Sequence, residues 1–121
     1  MGELRAAVYA RASSNELAIA NQLAALRVQV VEDEVRLPTE REFVDNGSSG
    51  ATLARPGLDR LRQLVSAGGI DRLYVQSADR LARMRAHQAL LLDEFQAAGI
   101  EVVCIDRLRP EPAGMRPPPH A

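Results

Sequence analysis

The chain has no lysine and no tryptophan, one cysteine, and only two phenylalanines and two tyrosines among its 121 residues. Each scarcity excludes something. A lone cysteine, Cys104, cannot close an intrachain disulfide, so the fold is not a disulfide scaffold. With so few aromatics, the core must be built from Leu, Val, Ile and Ala. No uninterrupted apolar run approaches the roughly 18 residues that suggest a transmembrane helix. The first residues, Met1 to Arg5, lack the apolar centre of a secretory signal. A cytoplasmic protein is expected. Charge of one sign is also missing: 15 basic residues face 16 acidic ones, for a net charge of −1. That argues against a polycation held to nucleic acid by bulk electrostatics. Because every fixed cation is an arginine, any contact to an anion must be local and made by guanidinium groups.

What is present is an alternation of two hydrophobic periods. Leu4 to Tyr9 reads as a short buried strand. Ile19, Leu23, Leu26 and Val30 recur at helical spacing and predict a helix from about Ser14 to about Asp33. Glu42 to Asp45 reads as a second strand, followed by the polar loop Asn46-Gly47-Ser48-Ser49-Gly50. Pro56 suits the first turn of a second helix, whose buried stripe is Leu58, Leu61, Leu64 and Val65 and which Gly68-Gly69 ends. Asp71 to Gln76 predicts a third strand, and Asp79 to Arg85 a charged loop or helix start. Ala89, Leu92 and Phe95, with Leu91 beside them, mark a third helix; Ile100 to Ile105 is the fourth strand. Strands separated by helices predict an α/β, three-layer domain: a mostly parallel four-stranded sheet with helices on both faces. This domain is expected to span residues 1–107. Five of the seven prolines fall in the last twelve residues, so Leu108 to Ala121 reads as a mobile proline-rich tail.

Sites on such sheets gather at the carboxyl ends of the strands. Ser13 and Asp79 each follow a strand and should share that edge with Arg11, Arg55, Arg80 and Arg83. Arginine binds phosphate oxygens in pairs and stays protonated. A serine among such groups is positioned to attack a phosphodiester. Simpler readings exist for each residue. Ser13 with Glu16 has the form of a capping box, and Ser14 is a competing hydroxyl. Asp79 and Arg83 have the spacing of a helix ion pair. Arg55 could be a solvated loop charge, and Gln22 an ordinary polar helix residue. His87 is expected at the surface, Cys104 in the core and Tyr9 in strand packing.

Four blocks resemble one family, in order along the chain. Tyr9-Ala10-Arg11-Ala12-Ser13-Ser14, with Gln22-Leu23 following, is similar to the start of a serine recombinase catalytic domain, as found in resolvases, DNA invertases and large serine integrases. Phe43-Val44-Asp45-Asn46-Gly47-Ser48-Ser49-Gly50, Arg55-Pro56-Gly57-Leu58 and Ala78-Asp79-Arg80-Leu81-Ala82-Arg83 resemble that family's later motifs. The resemblance covers roughly Leu4 to Asp106. It implies that Ser13 is a nucleophile forming a 5′-phosphoserine link to DNA. It implies that Arg11, Arg55, Arg80 and Arg83 hold and polarise the scissile phosphate, that Asp79 takes part in proton transfer or orients an arginine, and that Gln22 is a polar helper near the nucleophile. It implies no cofactor and no metal, DNA as partner, and a homo-oligomer in a full-length form. The chain departs from the family pattern at Ala12, where valine is frequent, and at Leu17, near a position that is polar in some relatives.

The expected function is site-specific DNA recombination. The proline tail arrives where family members continue into an interface helix and a DNA-binding domain, so a truncated or partial enzyme is expected. The alternative is a catalytically inactive recombinase-like module that pairs with an intact relative. A third reading is a small phosphate- or nucleotide-binding α/β domain.

Overall fold

The computed structural model describes residues 4–13, 15–47 and 55–108. Four strands form one sheet: β1 (Ala6–Ala12), β2 (Glu42–Asn46), β3 (Arg72–Val75) and β4 (Glu101–Cys104). Their spatial order is β2-β1-β3-β4, and all three pairings are parallel. Every residue of β1 is buried, as expected for a central parallel strand covered on both faces.

Helix α1 (Glu16–Glu32) packs Leu26 and Val30 on one face, against Ala6, Val8 and Tyr74. Helices α2 (Pro56–Ser66) and α3 (Arg85–Ala97) cover the other. There Leu58, Leu61, Val65 and Phe95 meet Ala7, Tyr9, Leu73 and Val75. A short helix α4 (Ile105–Leu108) follows β4 and places Ile105 on the α1 side. No helix among the described residues is long and apolar enough to cross a membrane.

The expected architecture is therefore observed, with local corrections. β1 runs to Ala12 rather than ending at Tyr9, because β2 stays in register as far as the pair Ala12 and Asn46. The Ser13–Glu16 capping box does not form. Asn15 is the N-cap, its side chain accepting from the Ala18 amide at 3.0 Å. β4 stops at Cys104, where α4 begins. Cys104 is half-buried and packs against the core rather than lying wholly within it. Ala89 is exposed; α3 is anchored instead by Phe95, with Leu91 and Leu92 at its margin. The charged segment folds as a 3-10 turn, Ala78–Arg80, ahead of α3. The competing hydroxyl Ser14, most of the loop after Asn46 and the proline-rich tail beyond Leu108 lie outside the described residues.

Candidate active site

The site is built on the carboxyl end of β1. Side chains alternate along a strand, so Tyr9 and Arg11 leave β1 on the same face. Ser13 follows the strand directly and is exposed.

Arg11 is only 5% exposed. Its Nε donates to the Arg80 carbonyl at 3.0 Å and its Nη2 to the Asp79 carbonyl at 2.6 Å. Arg80 Nη1 in turn donates to the Arg11 carbonyl at 3.2 Å. This reciprocal tie fixes the 3-10 turn against the strand that leads to Ser13. Arg55 Nη2 donates to the Arg80 carbonyl at 3.2 Å and to the Tyr9 hydroxyl at 2.9 Å. Arg11, Arg55 and Arg80 thus meet at one spot. Arg83 is exposed beside it, forming with Arg55 part of the wall of a cleft of about 290 Å³ between α2 and α3.

The cluster has too few counter-charges. Among the described residues the ion pairs use Arg5, Arg27, Arg62 and Arg72, and none uses Arg11, Arg55, Arg80 or Arg83. Burial lowers the Arg11 pKa, and the charges of Arg55, Arg80 and Arg83 push it down further. The Nε atoms of Arg55 and Arg80 are buried without a hydrogen-bond partner. Buried donors left unpaired cost about 1–3 kcal/mol each, and an oxyanion supplies both the acceptors and the missing negative charge.

Asp79 is exposed, and its carboxylate accepts from the Ser77 hydroxyl. Its spacing to Arg83 does not make a helix ion pair, because the 3-10 turn ends before Arg83.

Gln22 is buried on α1 and touches the Arg11 main chain with both ends of its amide. Its Oε1 accepts from the Arg11 amide at 3.2 Å and its Nε2 donates to the Arg11 carbonyl at 2.9 Å. The pairing of β1 with β3 stops at Tyr9 and Val75. The Arg11 peptide groups on that side have therefore lost their strand partner, and Gln22 stands in for it. Gln22 is a positioning residue.

Two further residues escaped the sequence reading as members of the site. Asp45, 3% exposed, accepts from the Tyr9 hydroxyl at 2.7 Å and from the Gly57 and Leu58 amides at 2.7 and 2.9 Å. It thereby caps α2 from β2 and holds the tyrosine that holds Arg55. The close approach requires glycine at 57, because a Cβ there would lie 2.5 Å from the Val44 carbonyl oxygen. Burial, then the bond to Asp45, raises the Tyr9 pKa, keeping the phenol neutral. Both residues lie within the quoted motif blocks, which was the available signal; their pairing across 36 positions was not.

A parallel α/β sheet with an exposed serine and a knot of arginines at one strand end defines the class: an α/β domain whose strand edge carries excess positive charge beside a hydroxyl. Comparison with known proteins gives the family. The chain matches the model of the resolvase N-terminal domain over residues 6–115, and it belongs to that family. The match runs past residue 107, into the proline-rich segment. The chain is 35% identical over 98 residues to the transposon Tn3 resolvase of Escherichia coli, covering 81% of this chain and 48% of the resolvase. It is 29% identical over 100 residues to a putative DNA recombinase of Bacillus subtilis strain 168, covering 83% of this chain and 20% of that protein. The chain thus spans half or less of these relatives. Among solved structures, the N-terminal catalytic domain of TP901-1 integrase superposes with a TM-score of 0.72 at 27% identity, covering 84% of this chain and 77% of that one.

Proposed function

We propose that this chain is the catalytic part of a serine recombinase, which cuts and rejoins DNA through Ser13. The observation that carries the reading is the arginine cluster at the end of the strand leading to Ser13, in no ion pair among the described residues and holding two buried Nε atoms without a hydrogen-bond partner there. Ser13 Oγ attacks a backbone phosphorus. Oγ gives up its proton as the Oγ–P bond forms, the P–O3′ bond breaks, and the departing O3′ takes up a proton, so the step is proton-neutral overall. The 5′ end is left as a phosphoserine ester. Attack by a 3′-hydroxyl on that ester reverses the step, so no external energy source is needed to rejoin the strand.

Arg55, Arg80 and Arg83 are assigned to the phosphate, where they neutralise the charge that accumulates in the crowded transition state. Arg11 helps through its charge while its Nε and Nη2 hold the 79–80 turn. Asp79, at the same edge, is assigned the proton transfer to O3′. Gln22, Tyr9 and Asp45 position these groups. We place the enzyme in the cytoplasm, acting on DNA as a homo-oligomer with neither metal nor cofactor.

The test is a DNA duplex carrying a nick near the scissile bond, which lets the cleaved fragment diffuse away. Denaturing gels should reveal a covalent protein–DNA adduct that Ser13→Ala abolishes. An adduct that survives Ser13→Ala would sink the assignment. Absence of any adduct from the wild-type chain, with DNA bound, would favour the inactive-module reading.

A further inference from the structure

Three of the four edge arginines are held by their guanidinium groups. Arg11, Arg55 and Arg80 each donate to main-chain carbonyls, and Arg55 also to the Tyr9 hydroxyl. Arg83 is different. Its side chain is exposed and makes no hydrogen bond or ion pair among the described residues. Yet its charge is close enough to help lower the Arg11 pKa, and it walls the cleft together with Arg55. Where an arginine side chain is free, its reach is set by the main chain that carries it.

That main chain lies between the 3-10 turn and α3, in neither element. No main-chain N–H among the described residues donates to the Ala82 or the Arg83 carbonyl, although Ala82 is buried. Helix α3 has no side-chain cap either, since Met84 at the N-cap position makes no capping bond. Gln88, half-buried near the start of α3, supplies what is missing. Long helical side chains lean back toward the N-terminus. The Gln88 Nε2 donates to the Ala82 carbonyl at 2.8 Å and, at 3.5 Å, reaches the Arg83 carbonyl. An amide nitrogen carries two hydrogens, one for each. These carbonyls belong to the two peptide planes that flank the Arg83 Cα. Because peptide units are planar, holding both planes fixes φ and ψ of Arg83, and so the direction in which its side chain departs. Gln22 acts in the same way on Arg11. Its amide meets the Arg11 N–H and carbonyl, which also lie in the two flanking planes.

We infer that Gln88 is a positioning residue for Arg83: its amide clamps both peptide planes flanking Arg83 and aims the guanidinium at the phosphate held beside Arg55. The clamp stands on geometry alone, whereas the phosphate rests on the recombinase reading proposed above. A glutamine that only satisfied the buried Ala82 carbonyl would support the fold and leave the action of Arg83 untouched.

The first test needs no DNA and uses nitrogen-15 relaxation of the full 121-residue chain. The order parameter of the Arg83 amide should be about 0.85 in the wild type and fall below about 0.6 in Gln88→Met, with the sheet amides unchanged. Gln88→Lys, which keeps donors at a similar reach, should restore it. Gln88→Ser, too short to reach either carbonyl, is read in the same way should Gln88→Met lose the fold. An Arg83 amide that stays rigid without the Gln88 donor would overturn the clamp. The second test is a cycle of Gln88→Met, Arg83→Ala and the double variant, read as the rate of adduct formation on nicked DNA. Losses of about tenfold and about 10²-fold are expected for the single variants. The double variant should be within about twofold of Arg83→Ala, because Gln88 acts through Arg83. Losses that multiply to about 10³-fold would overturn the inference. A wild-type chain that forms no adduct would count against the recombinase reading instead. The cycle is then read in affinity for the same nicked duplex, where non-additive losses support the clamp and multiplying losses overturn it.

Discussion

The arginines of this chain live in two different electrostatic settings. Away from the carboxyl edge of the sheet, each long-range guanidinium contact ends on a carboxylate. Arg5 binds Asp71 at 3.1 Å, and Arg72 binds Glu101 at 2.9 Å. Arg27 binds Glu42 and Arg62 binds Glu94, both at 2.6 Å. At the carboxyl edge, Arg11, Arg55 and Arg80 end on main-chain carbonyls and a phenol instead. A carbonyl fixes a guanidinium in place without cancelling its charge. The difference teaches how one residue type serves two ends: neutralised where it staples elements together, held but left positive where an anion is to be bound.

The largest expected effect comes from removing what that positive edge serves. Ser13→Ala should reduce adduct formation on nicked DNA by more than about 10³-fold, since it deletes the proposed nucleophile. Arg80→Ala should cost about 10²–10³-fold, as loss of one charged stabiliser of an oxyanion does. Arg62→Ala, at the neutralised setting, should leave the adduct yield unchanged. Equal losses from Arg80→Ala and Arg62→Ala would erase the distinction between the two settings.

Next in size is the carboxylate that anchors the edge without touching its arginines. Asp45→Ala leaves the Tyr9 hydroxyl and the Gly57 and Leu58 amides without their acceptor. At about 1–3 kcal/mol for each buried group left unpaired, a loss of about 3 kcal/mol or more is expected in denaturant titration. Tyr9 gives this network a signature in alkali. Its folded pKa is raised by burial and Asp45, so the stability it contributes is present below its unfolded pKa of about 10 and declines as pH rises above that value. Tyr74 is raised in the same direction, by burial and Asp33. Ultraviolet titration should therefore show little tyrosinate at pH 10 in the folded chain, and about half ionisation of both tyrosines on unfolding at that pH. Ordinary ionisation of both tyrosines at pH 10 would contradict the network.

The alternation of strand-like and helix-like periods made the layers and the succession of elements along the chain legible, because each period directly reflects which face is buried; the spatial order β2-β1-β3-β4 was not among the expectations. That Arg11 and the 79–80 turn would fall on one edge was legible because strand ends in a parallel sheet converge, and hydrogen bonds tie the two together there. What stayed hidden depends on pairings across the fold. The Gln22 amide replaces a missing strand partner only because β3 stops at Val75, and a strand end is poorly marked in sequence. Asp45 looked like a strand residue because its three donors come from β1 and α2. The capping box failed for a local reason: Asn15, two residues on from Ser13, is an equally good cap and lies where the helix starts.

The smallest expected effect sharpens the comparison from its neutralised side. Arg62 and Glu94 are partly exposed, with side-chain exposures of 47% and 36%. Solvent screens such a pair to under about 1 kcal/mol, so Arg62→Ala should lower stability only slightly at neutral pH. Its pH dependence is the stronger check. The bond to Arg62 depresses the Glu94 pKa, so the contribution is present above the unfolded glutamate value of about 4.3 and is lost as pH falls through the lower folded value. The melting temperatures of wild type and Arg62→Ala should converge in that acid window. Arg55→Ala should show no such convergence, because Arg55 is bonded to a hydroxyl and a carbonyl that do not take up protons there. Convergence of both variants would mean that a carboxylate compensates the carboxyl edge after all.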